Sequence, residues 1–410
     1  MITGLIDERV WTRDSAIEEV SSKWGLGQTV SGPVLTIPYY FYYKDENDKI
    51  VRSTEYAHFL PNGLNINGEV FPQQRHRGIY DIVVYNTRLH IEGYFPLPDF
   101  SEWDVAEHDI LWDDAELEMG IPDMRGIQKG IDLEWDGQQY AFNPGINNNE
   151  VLASGVSVRV PVYSVDSSKS NISFSCDIDL NGSGELYFTP LGKETNIELV
   201  SKWTEPGFDG AFLPDTHRVD QNGFYARWNV LHLNRNYPQK WRGGDQHIDD
   251  SAFGVRLLLP VDQYLKSTRS AKYAILIISL TFLIFFFIEV LNAKRIHPIQ
   301  YILVGLALCI FYALLLALSE HITFNTSYLI AGVAVIGLIT LYTRAIFKST
   351  RISLFLCGIL ILLYGFVFTV LQLQDYALLM GSIGLFIILA VVMWLSRKID
   401  WYSLSIHKKE

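Results

Sequence analysis

The chain has 410 residues, 49% of them hydrophobic, with 33 Lys/Arg against 45 Asp/Glu and a formal net charge of −12. That apolar content excludes a disordered chain, 30 Gly and 3 Cys exclude collagen-like and disulfide-framework classes, and the acidity argues against nucleic acid as a partner. The imbalance is local: residues 1–270 hold 40 acidic and 23 basic side chains, net −17, whereas 271–410 hold five and ten, net +5.

In chain order, residues 1–31 contain a polar amphipathic helix over Leu5–Trp24. Residues 32–262 are short alternating runs broken by Gly, Pro, Asn and Asp: Val34–Ile37, Ile82–Tyr85, Leu89–Ile91, Val156–Val160, Ile172–Leu180, Glu185–Phe188, Phe224–Val230 and Val255–Leu259. Turns are expected at Asn62-Gly63, Asn67-Gly68, Asp136-Gly137, Asn181-Gly182 and Asn222-Gly223. No helical period occurs between Gly32 and Pro260, so this is an all-β, sandwich-like domain. A strand ending in Pro recurs at Gly32–Pro38, Gly155–Pro161 and Gly254–Pro260, and Phe-Leu-Pro recurs at Phe59–Pro61 and Phe212–Pro214. These repeats suggest two lobes, 32–150 and 151–262.

Residues 271–402 form an α-helical transmembrane domain of five helices. Its apolar stretches are Tyr273–Asn292, Tyr301–Leu318, Tyr328–Phe347, Ile352–Leu373 and Tyr376–Leu395, each 18–22 residues long and so able to cross about 30 Å of hydrocarbon. Lys294, Arg295, Arg344, Lys348, Arg351, Arg397, Lys398, Lys408 and Lys409 follow the odd-numbered spans; only Lys266, Arg269 and Lys272 lie on the other side. The positive-inside rule therefore places the tail, 403–410, in the cytoplasm and residues 1–270 outside the membrane. A domain of that size needs an export signal, and Met1–Arg9 has neither a basic flank nor an apolar run. A further transmembrane helix upstream of Met1 is expected.

Several longer runs point to a family. They include Ser31-Gly-Pro-Val-Leu-Thr-Ile-Pro38, Arg77-Gly-Ile-Tyr80, Phe208-Asp-Gly-Ala-Phe-Leu-Pro214, Asp262-Gln-Tyr264 and Lys272-Tyr-Ala-Ile-Leu276. Leu280–Glu289, His297-Pro-Ile-Gln-Tyr301, Leu318-Ser-Glu-His321 and Ile399-Asp-Trp-Tyr402 follow in the membrane part. In this order the chain resembles the bacterial inner-membrane CreD (Cet) family along nearly its whole length. The resemblance implies a large periplasmic domain, a C-terminal membrane bundle and a role in cell-envelope integrity. It also implies links to a two-component stress regulon, colicin tolerance and β-lactam response. It supplies no catalytic residues, and it implies a membrane span before the stretch matching Leu5–Arg13, in line with the missing helix.

Candidate functional residues are the polar ones of the membrane part: Glu289, Arg295, His297, Gln300, Tyr301, Glu320 and His321. Glu289 reads as a proton or ion relay or, in the favoured reading, as an ion pair with Lys294 and Arg295 that sets helix depth. His297-Pro298 opens the second span, with Gln300 and Tyr301 anchoring it. His321 with Glu320 could sense acidity; a packing contact is the favoured account. No metal, cofactor or catalytic constellation is expected: the ten His lack ligand spacing, no Gly-x-Ser-x-Gly occurs, and Cys176 reads as a core hydrophobe. The acidic runs Glu102–Asp109, Asp113–Glu118 and Asp245–Asp250 read as solvated surface. The expected function is a non-enzymatic envelope protein whose partners are the lipid bilayer and an envelope protein or cell-wall component. A transporter or channel is the alternative, and a membrane hydrolase ranks third.

Overall fold

The computed structural model describes residues 2–162, 170–257, 269–291, 296–373 and 376–397. Expectations that fall on Lys294, Arg295, Pro260, Asp262–Tyr264, Ile399–Tyr402 and the tail lie outside them. The chain divides into two compact units, Asp14–Pro260 and Met1–Arg13 with Val261–Glu410.

The first unit is all-β. One nine-stranded sheet runs β13 (Pro206–Gly210), β17 (Phe253–Leu257), β11 (Glu185–Phe188), β1 (Gln28–Lys44), β5 (Glu116–Gly120), β9 (Gly155–Arg159), β8 (Asn143–Pro144). From β1 a branch continues to β2 (Ile50–Phe59) and β16 (Lys240–Arg242). The second, eight-stranded sheet runs β14 (Thr216–Asp220), β15 (Gly223–Leu231), β12 (Glu194–Ser201), β3 (Gly63–Arg77), β4 (Tyr80–Pro96), β10 (Asn171–Ser183), β6 (Asp132–Trp135), β7 (Gln138–Ala141). Alternation along these strands puts Leu35, Ile37, Leu117 and Phe59 of the first sheet into one apolar cluster with Ile66, Ile91, Leu199 and Trp228 of the second. This is the two-layer core that one-sided apolar strands require.

Several expected boundaries shift. β1 begins at Gln28, inside the segment assigned to a helical 1–31, where helix α1 occupies Ile2–Trp24. Ile82–Tyr85 and Leu89–Ile91 belong to one long strand, β4. Asp136-Gly137 and Asn222-Gly223 do join paired strands. Asn67-Gly68 and Asn181-Gly182, however, lie within β3 and β10. There the glycine serves packing: a Cβ on Gly68 would meet Leu199 at 2.5 Å, and one on Gly182 would meet Tyr85 at 2.3 Å. Both sheets draw strands from 32–150 and from 151–262, through the parallel pairs β1–β11 and β3–β12. A division into two lobes at residue 150 therefore does not describe the pairing.

The second half of α1 is held by the β3–β4 hairpin, since Arg77 donates to Glu19 at 3.1 Å and Arg75 stacks 4.0 Å over the Trp24 ring. In the other unit the helices are α2 (Ala274–Leu291), α3 (Pro298–Ser319), α4 (Phe324–Phe347), α5 (Thr350–Gln372) and α6 (Ala377–Ser396). Three of them, α3, α4 and α5, are long and apolar enough to cross a membrane, while the apolar stretches Ala274–Val290 and Leu379–Trp394 are shorter. Leu308, Phe311, Val335, Ile339, Leu360 and Tyr364 form the centre of their common core.

Gly155 begins β9 at φ +154°, and a Cβ there would lie 1.9 Å from the Met119 carbonyl oxygen of β5. Gly155→Ala is expected to cost about 2 kcal/mol or more, because backbone rather than a mobile side chain occupies the space. Tryptophan-fluorescence melting of the full chain would read this as a lowered first transition.

Candidate functional site

The polar residues of the membrane part gather at two helix corners. At the first, the Tyr301 hydroxyl donates to Glu289 Oε2 at 2.7 Å, and the Ile296 backbone N–H donates to Glu289 Oε1 at 3.1 Å. Next to it, His297 caps α3: its Nδ1 accepts from the Ile299 N–H at 3.3 Å, while Gln300 Oε1 accepts from the His297 N–H at 3.2 Å. Pro298 occupies the first turn, where its missing N–H costs nothing. Glu289, His297, Gln300 and Tyr301 thus come together, whereas Lys294 and Arg295, the ion-pair partners expected for Glu289, lie outside the described residues. Each oxygen of Glu289 is engaged by a donor across the corner, which makes it a clamp between α2 and α3.

At the second corner Glu320 ends α3, and its Oε1 lies 3.4 Å from Arg9 Nε, with the Glu320 side chain one-tenth exposed. His321 is exposed, and its backbone N–H donates to the Leu318 carbonyl. The carboxylate goes to Arg9 of α1, more than three hundred residues away in the chain, rather than to His321.

A third constellation, absent from the sequence-based candidates, lies in the β unit. Register places His58 of β2 opposite Thr36 of β1, and Thr36 opposite Glu116 of β5, all on the face of the nine-stranded sheet opposite to that of Leu35, Phe59 and Leu117. Glu118, two residues along β5, falls on the same face. Thr36 Oγ1 is 2.8 Å from Glu118 Oε2 and 3.1 Å from His58 Nδ1, and His58 Nε2 is 3.2 Å from Glu150 Oε2. Thr36, His58 and Glu118 are 3%, 0% and 1% exposed, whereas the Glu150 side chain is 31% exposed. The cover is the 145–154 segment, which carries Glu150 and whose Asn147 donates to Glu116 at 2.8 Å. The Trp241 ring lies 5.5 Å from the His58 ring.

Burial raises the Glu118 carboxyl to about 7, with Glu116 and Glu150 adding to the rise and the Thr36 hydroxyl opposing it. Burial also lowers the His58 imidazole, against the pull of Glu150. A hydroxyl between an imidazole and a carboxyl has the connectivity of an activated nucleophile, and here that hydroxyl is buried in mid-strand.

With the fold and these sites in place, two comparisons decide kinship. The model of the family described as inner membrane protein CreD matches residues 1–402. The chain is also 33% identical over 413 residues to the inner membrane protein CreD of Escherichia coli (strain K12), covering 100% of this chain and 91% of that protein. The chain belongs to the CreD family. It is an inner membrane protein with apolar spanning helices and an all-β domain.

In this CreD-family chain Cys176 is a core residue, 4% exposed with its thiol pushed up to about 12 by burial, and its Sγ lies 3.8 Å from Met119 Sδ. The acidic runs are not uniformly solvated, because Asp109 and Glu118 are both buried. The sequence carries no signal for the burial of Glu118, which falls at a polar position of the alternating Glu116-Leu117-Glu118-Met119.

Glu118 binds its proton more tightly in the folded chain than in the unfolded one. Its contribution is therefore complete below the unfolded value near 4.5 and is lost as pH rises through about 7. Glu118→Gln is expected to stabilise the β unit at alkaline pH by about 2 kcal/mol and to change little in acid, measured by urea midpoints across pH. Glu289→Ala leaves two donors without acceptors and is expected to cost about 2 kcal/mol. The thermal midpoint of the detergent-solubilised chain checks it, with Glu289→Gln closer to the parent.

Proposed function

We propose that this CreD-family chain is a non-enzymatic inner-membrane protein that supports cell-envelope integrity. Its five apolar stretches cross the bilayer, its β unit stands on the periplasmic side and its C-terminus is cytoplasmic. The β unit engages an envelope protein or a cell-wall component, and the chain serves the envelope stress response to which the CreD resemblance points, including colicin tolerance and β-lactam response. Nucleic acid is no partner.

The observation that carries this reading is the pairing, in one chain, of strongly apolar helices with an acidic β unit that presents a wide polar surface. On the outer face of the eight-stranded sheet Arg88, His90, Lys129, Asp177 and Glu198 line an open groove of about 700 Å³, a surface suited to a polar, hydrogen-bonding partner. The Lys/Arg excess beside alternate helix ends supports the orientation. Transport is the weaker reading. Glu289 is engaged at a helix end by Tyr301 and Ile296, and Arg344 sits in the last turn of α4, so neither marks a charged path through the core.

Single cysteines at Asp48 and at Lys348, on a Cys-free background, test the arrangement. In spheroplasts a membrane-impermeant maleimide is expected to label the Asp48 position and to spare the Lys348 position until lysis. The opposite pattern would put the β unit in the cytoplasm and end the envelope reading. In-cell crosslinking from the groove, followed by mass spectrometry, then identifies the partner; labelled-substrate flux into liposomes would favour transport instead.

A further inference from the structure

The buried constellation of the β unit has a fixed number of protons, and that number follows from its hydrogen bonds. His58 Nε2 faces a carboxylate oxygen of Glu150 at 3.2 Å, so the bond needs a hydrogen on Nε2. His58 Nδ1 faces Thr36 Oγ1, which in turn faces Glu118 Oε2. If Glu118 is protonated, its O–H donates to Thr36, Thr36 donates to Nδ1 of a neutral His58, and Nε2–H donates to Glu150. Ionising Glu118 while keeping the proton reverses the first two bonds and leaves an imidazolium. Both arrangements hold the same protons and carry the same charge. The neutral pair is favoured here because Glu118 Oε1 is buried without a hydrogen-bond partner among the described residues. A carbonyl oxygen tolerates that far better than an ionised one.

Loss of one proton has a different result. Glu118 becomes a carboxylate, Thr36 turns to donate to it, and His58 keeps its single hydrogen on Nδ1 to donate to Thr36. Of the two neutral tautomers, the one with its hydrogen on Nδ1 keeps the buried bond to Thr36 and gives up the bond at the partly exposed Glu150 end, where water can replace it. A nitrogen lone pair then faces a carboxylate, and the bond to Glu150 is gone.

Glu150 is the point at which the covering segment meets this chain of bonds. That segment is anchored by the Gly145 N–H, which donates to the Gly155 carbonyl, by Leu152, buried beside Gly120, and by Ile146 and Val151, which pack against buried apolar residues. Its middle is held through Asn147 to Glu116 and through Glu150 to His58. We propose that Glu118, Thr36 and His58 form a proton relay that latches the 145–154 strap through Glu150 and releases it when the relay loses its one proton. The strap is closed in acid, loosens as pH rises through neutrality and is released in alkali.

The other groups around the relay shape this response without replacing it. From β5 comes Glu116, 3.5 Å from Arg159 of β9 and bonded to Asn147. From β16 come the Trp241 ring and Arg242, which bonds Tyr39 of β1. Glu55 of β2 and Glu150 act on the same tyrosine. The device is independent of the proposed envelope function.

Hydrogen exchange of the full-length protein in detergent tests it, comparing strap peptides with peptides from β10 between about pH 6 and pH 9 after correction for intrinsic exchange. In the parent chain, strap protection is expected to fall by about tenfold more than that of β10 across this range. Glu118→Gln donates permanently to Thr36, and Thr36→Val cuts the relay at nearly constant volume, so both should keep the strap protected at every pH. A parent profile that parallels β10 overturns the proposal, as does a fall that survives in Thr36→Val. Should Glu118→Gln fail to fold, the parent and Thr36→Val decide the matter.

Discussion

Most of the β unit depends on one strand. β1 pairs in parallel with β11 over Gln28–Val30, in antiparallel with β5 between Ser31 and Thr36, and in antiparallel with β2 from Leu35 to Lys44. The register slips between Ser31 and Val34, which is how a single strand serves partners that run in different directions. Its inward residues Leu35 and Ile37 fix the core face. Because side chains alternate, the same pairing commits Thr36 to the other face, opposite His58 and beside Glu118. The buried polar chain is therefore a consequence of the register that builds the core, and it cannot move without moving the core.

That second face would ordinarily be wet. An antiparallel sheet with one apolar face leaves the other to solvent, where Thr, His and Glu are unremarkable. Here the 145–154 segment crosses it and removes the water. Each covered polar atom must then find a protein partner at a cost of about 1–3 kcal/mol if it fails. Among the described residues the chain from Glu118 to Glu150 meets that demand except at Glu118 Oε1, and that atom makes protonation of this carboxyl favourable.

These relations also explain what could be read from the sequence. The apolar helices were legible because composition over some twenty residues is a local property that bilayer thickness constrains directly. The β character was legible from alternation, and Glu185–Phe188 has the boundaries expected of it. The parallel pairs β1–β11 and β3–β12 were not, since they join segments well over a hundred residues apart. Gly68 and Gly182 looked like turn residues because Asn-Gly is a turn signal, yet neighbouring Leu199 and Tyr85 require the missing side chain instead. The candidate residues divide the same way. His297, Gln300 and Tyr301 are near neighbours, and their place at a helix start followed from His297-Pro298, although spacing offered Lys294 and Arg295 rather than Tyr301 as partners of Glu289. The relay did not, because Thr36, His58, Glu118 and Glu150 meet only after three strands and a covering segment are in place.

Glu289 and Glu118 make a useful contrast, since both are carboxyl groups drawn away from bulk water. Glu289 has a donor on each oxygen, one from the Tyr301 phenol of α3 and one from the Ile296 backbone amide just before that helix. The two bonds tie the end of α2 to the start of α3, so Glu289 acts as a joint between them. Glu118 has one partner, and that partner is a hydroxyl that can either donate or accept. The orientation of Thr36 then follows the charge of Glu118, and the hydrogen on His58 follows the orientation of Thr36. A carboxyl with two fixed donors is a fastener, while a carboxyl facing a single hydroxyl transmits its protonation state to whatever lies beyond. In this chain what lies beyond is a surface segment.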